Sequence, residues 1–191
     1  MELRPSLTIE ICILAGGLSR RMGRDKSRLR LGPRTLLGHI RAEARKLGFP
    51  VRVLRRDAVP RCGPLGGIYT ALKTTRADAV MFLACDMPGI TAALLRSMLG
   101  RFGDGSEDLF VCQEDMVGFP FVIRRAALGI VTKQIEQEKA SLHELARALK
   151  AKTLRVTPRW RPQLTNINTP EEWARAVRRW TMSRGTVRRE T

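Results

Sequence analysis

Hydrophobic residues in the first half of the chain fall into short continuous runs, each of which stops at glycine, proline or aspartate. Leu7 to Leu14 alternates and then turns continuously apolar before Ala15-Gly16-Gly17, which predicts a buried strand ending in a loop. Val51 to Leu54 predicts a shorter strand that leads to Asp57. Ala79 to Ala84 is uninterrupted, as in a central parallel strand covered on both faces, and it stops at Cys85-Asp86-Met87-Pro88. Between these runs the period changes to that of a helix. Thr35 can cap a helix to about Leu47, with Leu36, Leu37, Ile40, Ala44 and Leu47 on one face, Gly48 past its end and Pro50 as a stop. Pro60 to Gly67 reads as a Pro/Gly-rich turn with a helix from Ile68 to about Thr75.

The second half continues the alternation. Thr91 can cap a helix whose apolar face is Leu94, Leu95, Met98 and Leu99, before the soft loop Gly103 to Ser106. Leu109 to Cys112 and Phe119 to Ile123 predict strands. Ser141-Leu142-His143-Glu144 has capping-box form for a helix to about Leu149, and Leu154 to Val156 predicts a last short strand. Thr169-Pro170-Glu171-Glu172 opens a final helix carrying Trp173, Val177 and Trp180 as a core-facing stripe. Strands that alternate with helices predict a three-layer α/β/α fold, Rossmann-like, with a mostly parallel, mixed sheet. Ligands bind such sheets at the carboxyl ends of the strands, where Gly16-Gly17, Asp57 or Gly63, and Asp86 all fall. One domain over residues 1–182 and a disordered basic tail over 183–191 are expected.

Composition narrows the class. The 191 residues suffice for a single core, and 43% are hydrophobic. There is no run of about 20 apolar residues and no apolar centre near the start, so a cytoplasmic protein without a membrane span is expected. Cys12, Cys62, Cys85 and Cys112 form no CxxC pair and are expected as reduced, mostly buried thiols. The net charge of +17 calls for an anionic partner. With only 5% aromatic residues there are few platforms for stacking bases, which argues against nucleic acid.

The chemistry concentrates in Leu14-Ala15-Gly16-Gly17-Leu18-Ser19-Arg20-Arg21-Met22-Gly23-Arg24-Asp25-Lys26. Glycines behind a buried strand let a ligand approach the backbone N–H groups, and Arg20, Arg21 and Lys26 can neutralise the phosphates that those groups cradle. The loop is neither GxxxxGK[ST] nor GxGxxG. Its LAGG, R-M-G step and lysine closely resemble the signature loop of the nucleotidyltransferase superfamily that activates sugars and cofactors. LAGGLSRRMGRDK, GPLGGIYTAL, FLACDMP and NINTPEE together, in this order, resemble the molybdenum cofactor guanylyltransferase family.

The resemblance implies the nucleotide-diphospho-sugar transferase type of fold. It also implies transfer of GMP from GTP to the terminal phosphate of molybdopterin, with Mg²⁺ as cofactor and pyrophosphate as the leaving group. On this likeness Leu14, Ala15, Gly16 and Gly17 form the nucleotide loop and contact base and ribose through the backbone. Lys26, with Arg20 or Arg21, holds the phosphates and stabilises the leaving pyrophosphate. Asp86 ligates Mg²⁺, Asp57 contacts the nucleotide, and Asn166 and Asn168 border the acceptor. Gly17 favours guanine, because cytidylyltransferase relatives tend to read LAAG at this loop. The partners implied are GTP, molybdopterin, and molybdoenzyme apoproteins or their chaperones that receive the product.

The chain departs from this family between Leu47 and Gly63, where members usually have a strand with an asparagine, a helix and another strand before the aspartate. Only Val51 to Arg56 remain, so the first α/β unit is shortened. Plainer readings stand beside the functional ones. Lys26 can be a solvated lysine, Asp86 a cap before Pro88, Arg20-Arg21 a water-facing pair, and Asn166-Ile167-Asn168 a turn. His39 and His143 read as surface or cap-adjacent helix residues without a catalytic role. The competing functions are another nucleotidyltransferase, using CTP or a sugar phosphate, and a nucleotide-binding protein without turnover.

Overall fold

A computed structural model of the chain describes residues 7–16, 26–59, 62–103, 107–113 and 116–185. From the amino end, β1 (Ile9–Leu14) is followed by a 3-10 turn (Lys26–Arg28) and a small hairpin of β2 (Arg30–Leu31) and β3 (Arg34–Thr35). Next come α1 (Leu36–Arg45), β4 (Val51–Leu54), α2 (Pro64–Thr74) and β5 (Ala79–Ala84). The second half adds α3 (Ala92–Gly103), β6 (Leu109–Gln113), β7 (Met116–Arg124), α4 (Leu128–Glu136), α5 (Leu142–Ala148), β8 (Lys152–Arg155) and α6 (Pro170–Gly185).

Six strands form one sheet in the order β4-β1-β5-β7-β6-β8. β1 pairs parallel with β4 and β5, β6 pairs parallel with β8, and β7 runs antiparallel between β5 and β6. The mixed sheet expected from the run pattern is therefore present, with β7 as its reversed member. Alternation along β5 divides the core. Ala79, Met81 and Leu83 pack on the side of α1 and α3, whereas Val80 and Phe82 pack on the side of α2, α4 and α5. Phe82, Phe110 and Phe121 stack across three strands on that second side, with ring centroids 5.0 and 4.6 Å apart.

Thr35 caps α1 as its position suggests, its hydroxyl accepting from the Gly38 N–H at 3.0 Å. Elsewhere the structure corrects the pattern. α2 starts at Pro64 rather than Ile68, because proline suits the first helical position and Gly66 and Gly67 serve close packing, not a turn. α4 occupies a segment in which the pattern shows no element; its Ile130-Val131-Thr132 run weakens the helical signal, and Val131 with Gln134 makes its buried face. Val177 is exposed, so the α6 stripe consists of Trp173, Ala176 and Trp180. α6 also continues to Gly185, past the expected boundary at residue 182, and the tail from 186 onward lies outside the described residues. A single strand, β4, stands between α1 and α2, which matches the shortened first unit.

Candidate active site

Leu14 at the end of β1 is in register with Leu54 of β4 and with Ala84 of β5. Three chain segments thus leave the sheet at one edge: Ala15-Gly16, Arg55-Arg56-Asp57 and Cys85-Asp86. Ala15 donates its N–H to the Leu54 carbonyl at 2.7 Å and Cys85 donates to the Leu14 carbonyl at 3.2 Å, carrying the ladder one residue past the strands. Gly16 is exposed there, and a Cβ on it would lie 2.8 Å from the Arg55 carbonyl oxygen. Only glycine fits this approach.

Asp57 is set against the first turn of α2. A Cβ on Gly67 would stand 3.2 Å from Asp57 Oδ1 and one on Gly66 would stand 2.5 Å from the Val59 carbonyl oxygen, so two bare glycines let the segment after β4 lie directly on the helix. Thr70 Oγ1 accepts from the Ala58 N–H at 2.8 Å and donates to the Gly66 carbonyl at 2.7 Å, which pins the segment. Partial loss of water pushes the exposed Asp57 carboxyl above its usual range. Asp57 and Asp86 share the edge but stand at the ends of β4 and β5, with β1 between them.

Across β1, three residues far apart in sequence meet. Lys26 Nζ donates to Asn168 Oδ1 at 2.7 Å and lies 3.7 Å from Asp86 Oδ2. The side chains of Lys26 and Asp86 are only 12% and 19% exposed, so neither is a solvated surface charge. Asp86 is joined to the Asn168 segment through its backbone as well, since Ile167 donates its N–H to the Asp86 carbonyl at 2.9 Å. Asn168 is half-buried and its neighbour Asn166 is exposed. The resemblance motifs around Lys26, Asp86 and Asn168 therefore converge, while Asn166 stays at the surface. Gly17, Arg20 and Arg21 lie outside the described residues.

Electrostatically the cluster is a paired one. Burial pushes the Asp86 carboxyl above its usual range, the Lys26 ammonium opposes this, and Glu172 adds to the rise. The 3.7 Å separation is longer than a hydrogen bond, so the carboxylate keeps oxygen lone pairs for another hard cation. Among the described residues no group of three or more His, Cys, Asp or Glu side chains could hold a metal. One carboxylate at a ligand-facing strand end fits Mg²⁺, which usually takes one or two carboxylates and completes its shell with water and substrate phosphates.

The carboxyl end of the glycine loop has its own clamp, which the sequence pattern does not reveal. His39 is buried on α1, contrary to its expected surface place, with Nε2 2.7 Å from the Leu31 carbonyl oxygen. The Trp180 ring meets the His39 ring edge-on at 4.9 Å and covers Gly32, where a Cβ would fall 2.2 Å from Trp180 Nε1. Gly32, at φ 63°, turns the β2–β3 hairpin just beyond Lys26. Pro88, Ile167, Glu172 and Trp180 help to line a pocket of ≈ 250 Å³ beside this clamp. His143 is exposed next to the Ser141 cap, as expected. Of the four cysteines Cys12 alone is buried, its thiol pushed up to about 12 by desolvation, and the other three are half-buried.

Comparison with known proteins bears on this edge. Residues 11–156 match the family model described as the MobA-like NTP transferase domain. The molybdenum cofactor guanylyltransferase of Xanthomonas euvesicatoria pv. vesicatoria is 32% identical over 180 residues, covering 86% of this chain and 92% of that protein. Among solved structures, molybdopterin-guanine dinucleotide biosynthesis protein A from Archaeoglobus fulgidus has a TM-score of 0.71 at 19% identity, covering 91% of this chain and 99% of the other. Rv0371c from Mycobacterium tuberculosis, in a complex with manganese, has a TM-score of 0.62 at 20% identity, covering 91% and 100%. The match takes in β1, the segment after β4 and the end of β5, the three elements that build the edge, and on this ground the chain belongs to the MobA-like NTP transferase family.

Proposed function

We propose that the protein transfers GMP from GTP to the terminal phosphate of molybdopterin and releases pyrophosphate. The observation that carries this reading is the convergence of Lys26, Asp86 and Asn168 at the edge where the glycine loop begins, in a chain whose relatives are named molybdenum cofactor guanylyltransferases. An oxygen of the acceptor phosphate attacks the α-phosphorus, the bond from that phosphorus to the bridging oxygen breaks, and the electron pair leaves with pyrophosphate. The attacking oxygen is already anionic, so no general base and no covalent enzyme intermediate are needed.

The residues divide the work by position. Backbone groups of Leu14, Ala15 and Gly16, continued by Gly17, receive base and ribose at the end of β1, with Asp57 on the flank of that site. Lys26, assisted by Arg20 or Arg21, offsets the charge that grows on the leaving pyrophosphate. Asp86 would supply the carboxylate that holds Mg²⁺, which would there contribute neutralisation of phosphate charge and polarisation of the α-phosphate. Asn168 and Asn166 border the acceptor, and the pocket lined by Pro88, Ile167 and Trp180 offers apolar walls beside them. The excess positive charge raises the local concentration of both anionic substrates. Among the described residues no helix is long and apolar enough to cross a membrane, and we place the reaction in the cytoplasm, with molybdoenzyme apoproteins or their chaperones receiving the product.

A thermal-shift comparison of GTP, ATP, CTP and UTP, each with Mg²⁺, tests the assignment. GTP at about 100 times its Kd should add roughly 2.7 kcal/mol of stability, more than the other three. Equal shifts, or a larger one with CTP, would overturn the guanine assignment. Pyrophosphate release that requires both GTP and molybdopterin separates an enzyme from a nucleotide binder.

A further inference from the structure

The contact that fixes Lys26 comes from a segment with no regular structure, residues 165–168, so something else must hold Asn168 still. Glu172 does so. Its Oε2 accepts from the Asn168 N–H at 2.6 Å and from the Thr169 N–H at 3.1 Å, while Thr169 Oγ1 accepts from the Glu172 N–H at 3.2 Å. This reciprocal cap starts α6 and would exist for the helix's sake alone. Here, however, one of its bonds reaches past the cap residue to the backbone of Asn168, whose side chain meets Lys26 at 2.7 Å. Ile167, 2% exposed and bonded to the Asp86 carbonyl, anchors the other side.

The chemistry of the holder matters. The amide oxygen of Asn168, at 2.7 Å, is nearer the ammonium than the Asp86 carboxylate, at 3.7 Å, and so holds Nζ more closely than that carboxylate does. An ammonium group only donates, so an acceptor must face it. A neutral acceptor orients Lys26 without cancelling the charge that phosphates require. The negative charge of Glu172 is spent on backbone N–H groups at the start of a helix, where the peptide dipoles favour it.

We infer that Glu172 is a positioning residue for nucleotide binding, fixing Asn168 so that its amide oxygen holds the Lys26 ammonium on the phosphate side of the site. The inference rests on the proposed role of Lys26. Glu172 acts on the nucleotide through two intermediaries, and because it also lines the pocket beside the acceptor the test leaves the acceptor out.

The test measures GTP affinity of the full chain with Mg²⁺ by calorimetry, with no acceptor present. Glu172→Ala should weaken binding about tenfold, in the range of losses seen when groups that orient a binding residue are removed. Glu172→Gln, which keeps a carbonyl acceptor, should recover most of the loss. Thr169→Ala removes the other half of the same cap and lowers the melting temperature, yet should leave GTP affinity within about twofold, since the Glu172 to Asn168 bond does not depend on its hydroxyl. In a Lys26→Ala background, Glu172→Ala should add no further loss. Parent-like affinity in Glu172→Ala, an equal loss in Thr169→Ala, or losses that multiply in the double variant would each overturn the inference. If Glu172→Ala does not fold, Glu172→Asp carries the same comparison. A parent that binds no triphosphate overturns the proposed function and this inference with it, whereas weak binding by Lys26→Ala beside full binding by Glu172→Ala overturns this inference alone.

Discussion

The backbone N–H of Ile167 donates to the carbonyl oxygen of Asp86 at 2.9 Å, which ties the segment before α6 to the turn after β5. The frame of the site is therefore set by main chain, and side chains at its centre can be changed without dismantling it. A buried backbone donor left unpaired would cost about as much as a lost hydrogen bond, which favours keeping this tie.

Lys26→Ala exploits that frame. The substitution leaves the Ile167 to Asp86 bond and the Glu172 cap in place, so the fold should survive, with circular dichroism and melting temperature close to the parent's. GTP binding should weaken by roughly 1.5–3 kcal/mol, the size of a lost charge-assisted hydrogen bond. Unchanged affinity measured by calorimetry on folded variant would make Lys26 a bystander.

Gly66→Ala should act on the opposite flank. A Cβ there falls 2.5 Å from the Val59 carbonyl oxygen, a main-chain atom that has no flexible end to swing away. The segment carrying Asp57 must move, at a stability loss of about 1–3 kcal/mol. Gly100→Ala, on an exposed helical turn of α3 where a Cβ meets nothing within 4 Å, should instead stabilise by roughly 0.5–1 kcal/mol. Denaturant titration of the two variants gives opposite signs if the close approach at Gly66 is real.

What could be read from the sequence was whatever a local pattern or a resemblance carries. The runs that end at Leu14 and Ala84 place β1 and β5, because a central strand needs apolar residues on both faces. The shorter run ending at Leu54 places the edge strand β4, and the carboxyl-edge rule then places Gly16, Asp57 and Asp86 together. Pairings between distant residues leave no local mark. His39 looks like a surface residue on its helix until Leu31 and Trp180 arrive from elsewhere to cover it. The Thr169 to Glu172 cap is visible as a motif, but its bond to Asn168, and the contact of Asn168 with Lys26, depend on how α6 docks. α4 was obscured by its β-branched run, since such residues serve strands as readily as helices.

Asp108 offers a pH test away from the site. It is buried just before β6, its Oδ1 accepts from the N–H of Arg124 at the end of β7 at 2.7 Å, and desolvation nevertheless raises its carboxyl above the usual range. A raised carboxyl binds more protons when folded than when unfolded. Its unfavourable contribution is therefore absent below the unfolded value of 3.8 and grows as pH rises through the folded value. Asp108→Asn keeps an acceptor for Arg124 and removes the charge, so it should be more stable than the parent at pH 7, with the difference shrinking to nothing near pH 3. A difference in melting temperature that is constant with pH would show that the carboxyl is not raised.

Asp86→Asn addresses the centre of the proposed mechanism. The side chain is 19% exposed, follows the uninterrupted apolar strand β5 and stands 3.7 Å from Lys26, so its charge is largely withdrawn from water and faces one cation. Asparagine keeps the shape and one carbonyl oxygen, and the backbone carbonyl that accepts from Ile167 is untouched, so the turn after β5 should stay in place. What disappears is the negative charge that draws a hard cation to this edge. Affinity for Mn²⁺ in the presence of GTP, read by electron paramagnetic resonance, should fall at least about tenfold, and pyrophosphate release should fall by roughly 10²-fold, the size associated with losing one preorganised electrostatic group. Binding of GTP without metal should hold or strengthen, because the Asp86 carboxylate no longer repels the phosphates. Turnover within a few-fold of the parent at saturating Mg²⁺, together with unchanged Mn²⁺ affinity, would assign Asp86 to capping the turn before Pro88 and move the search for the metal carboxylate to Asp57.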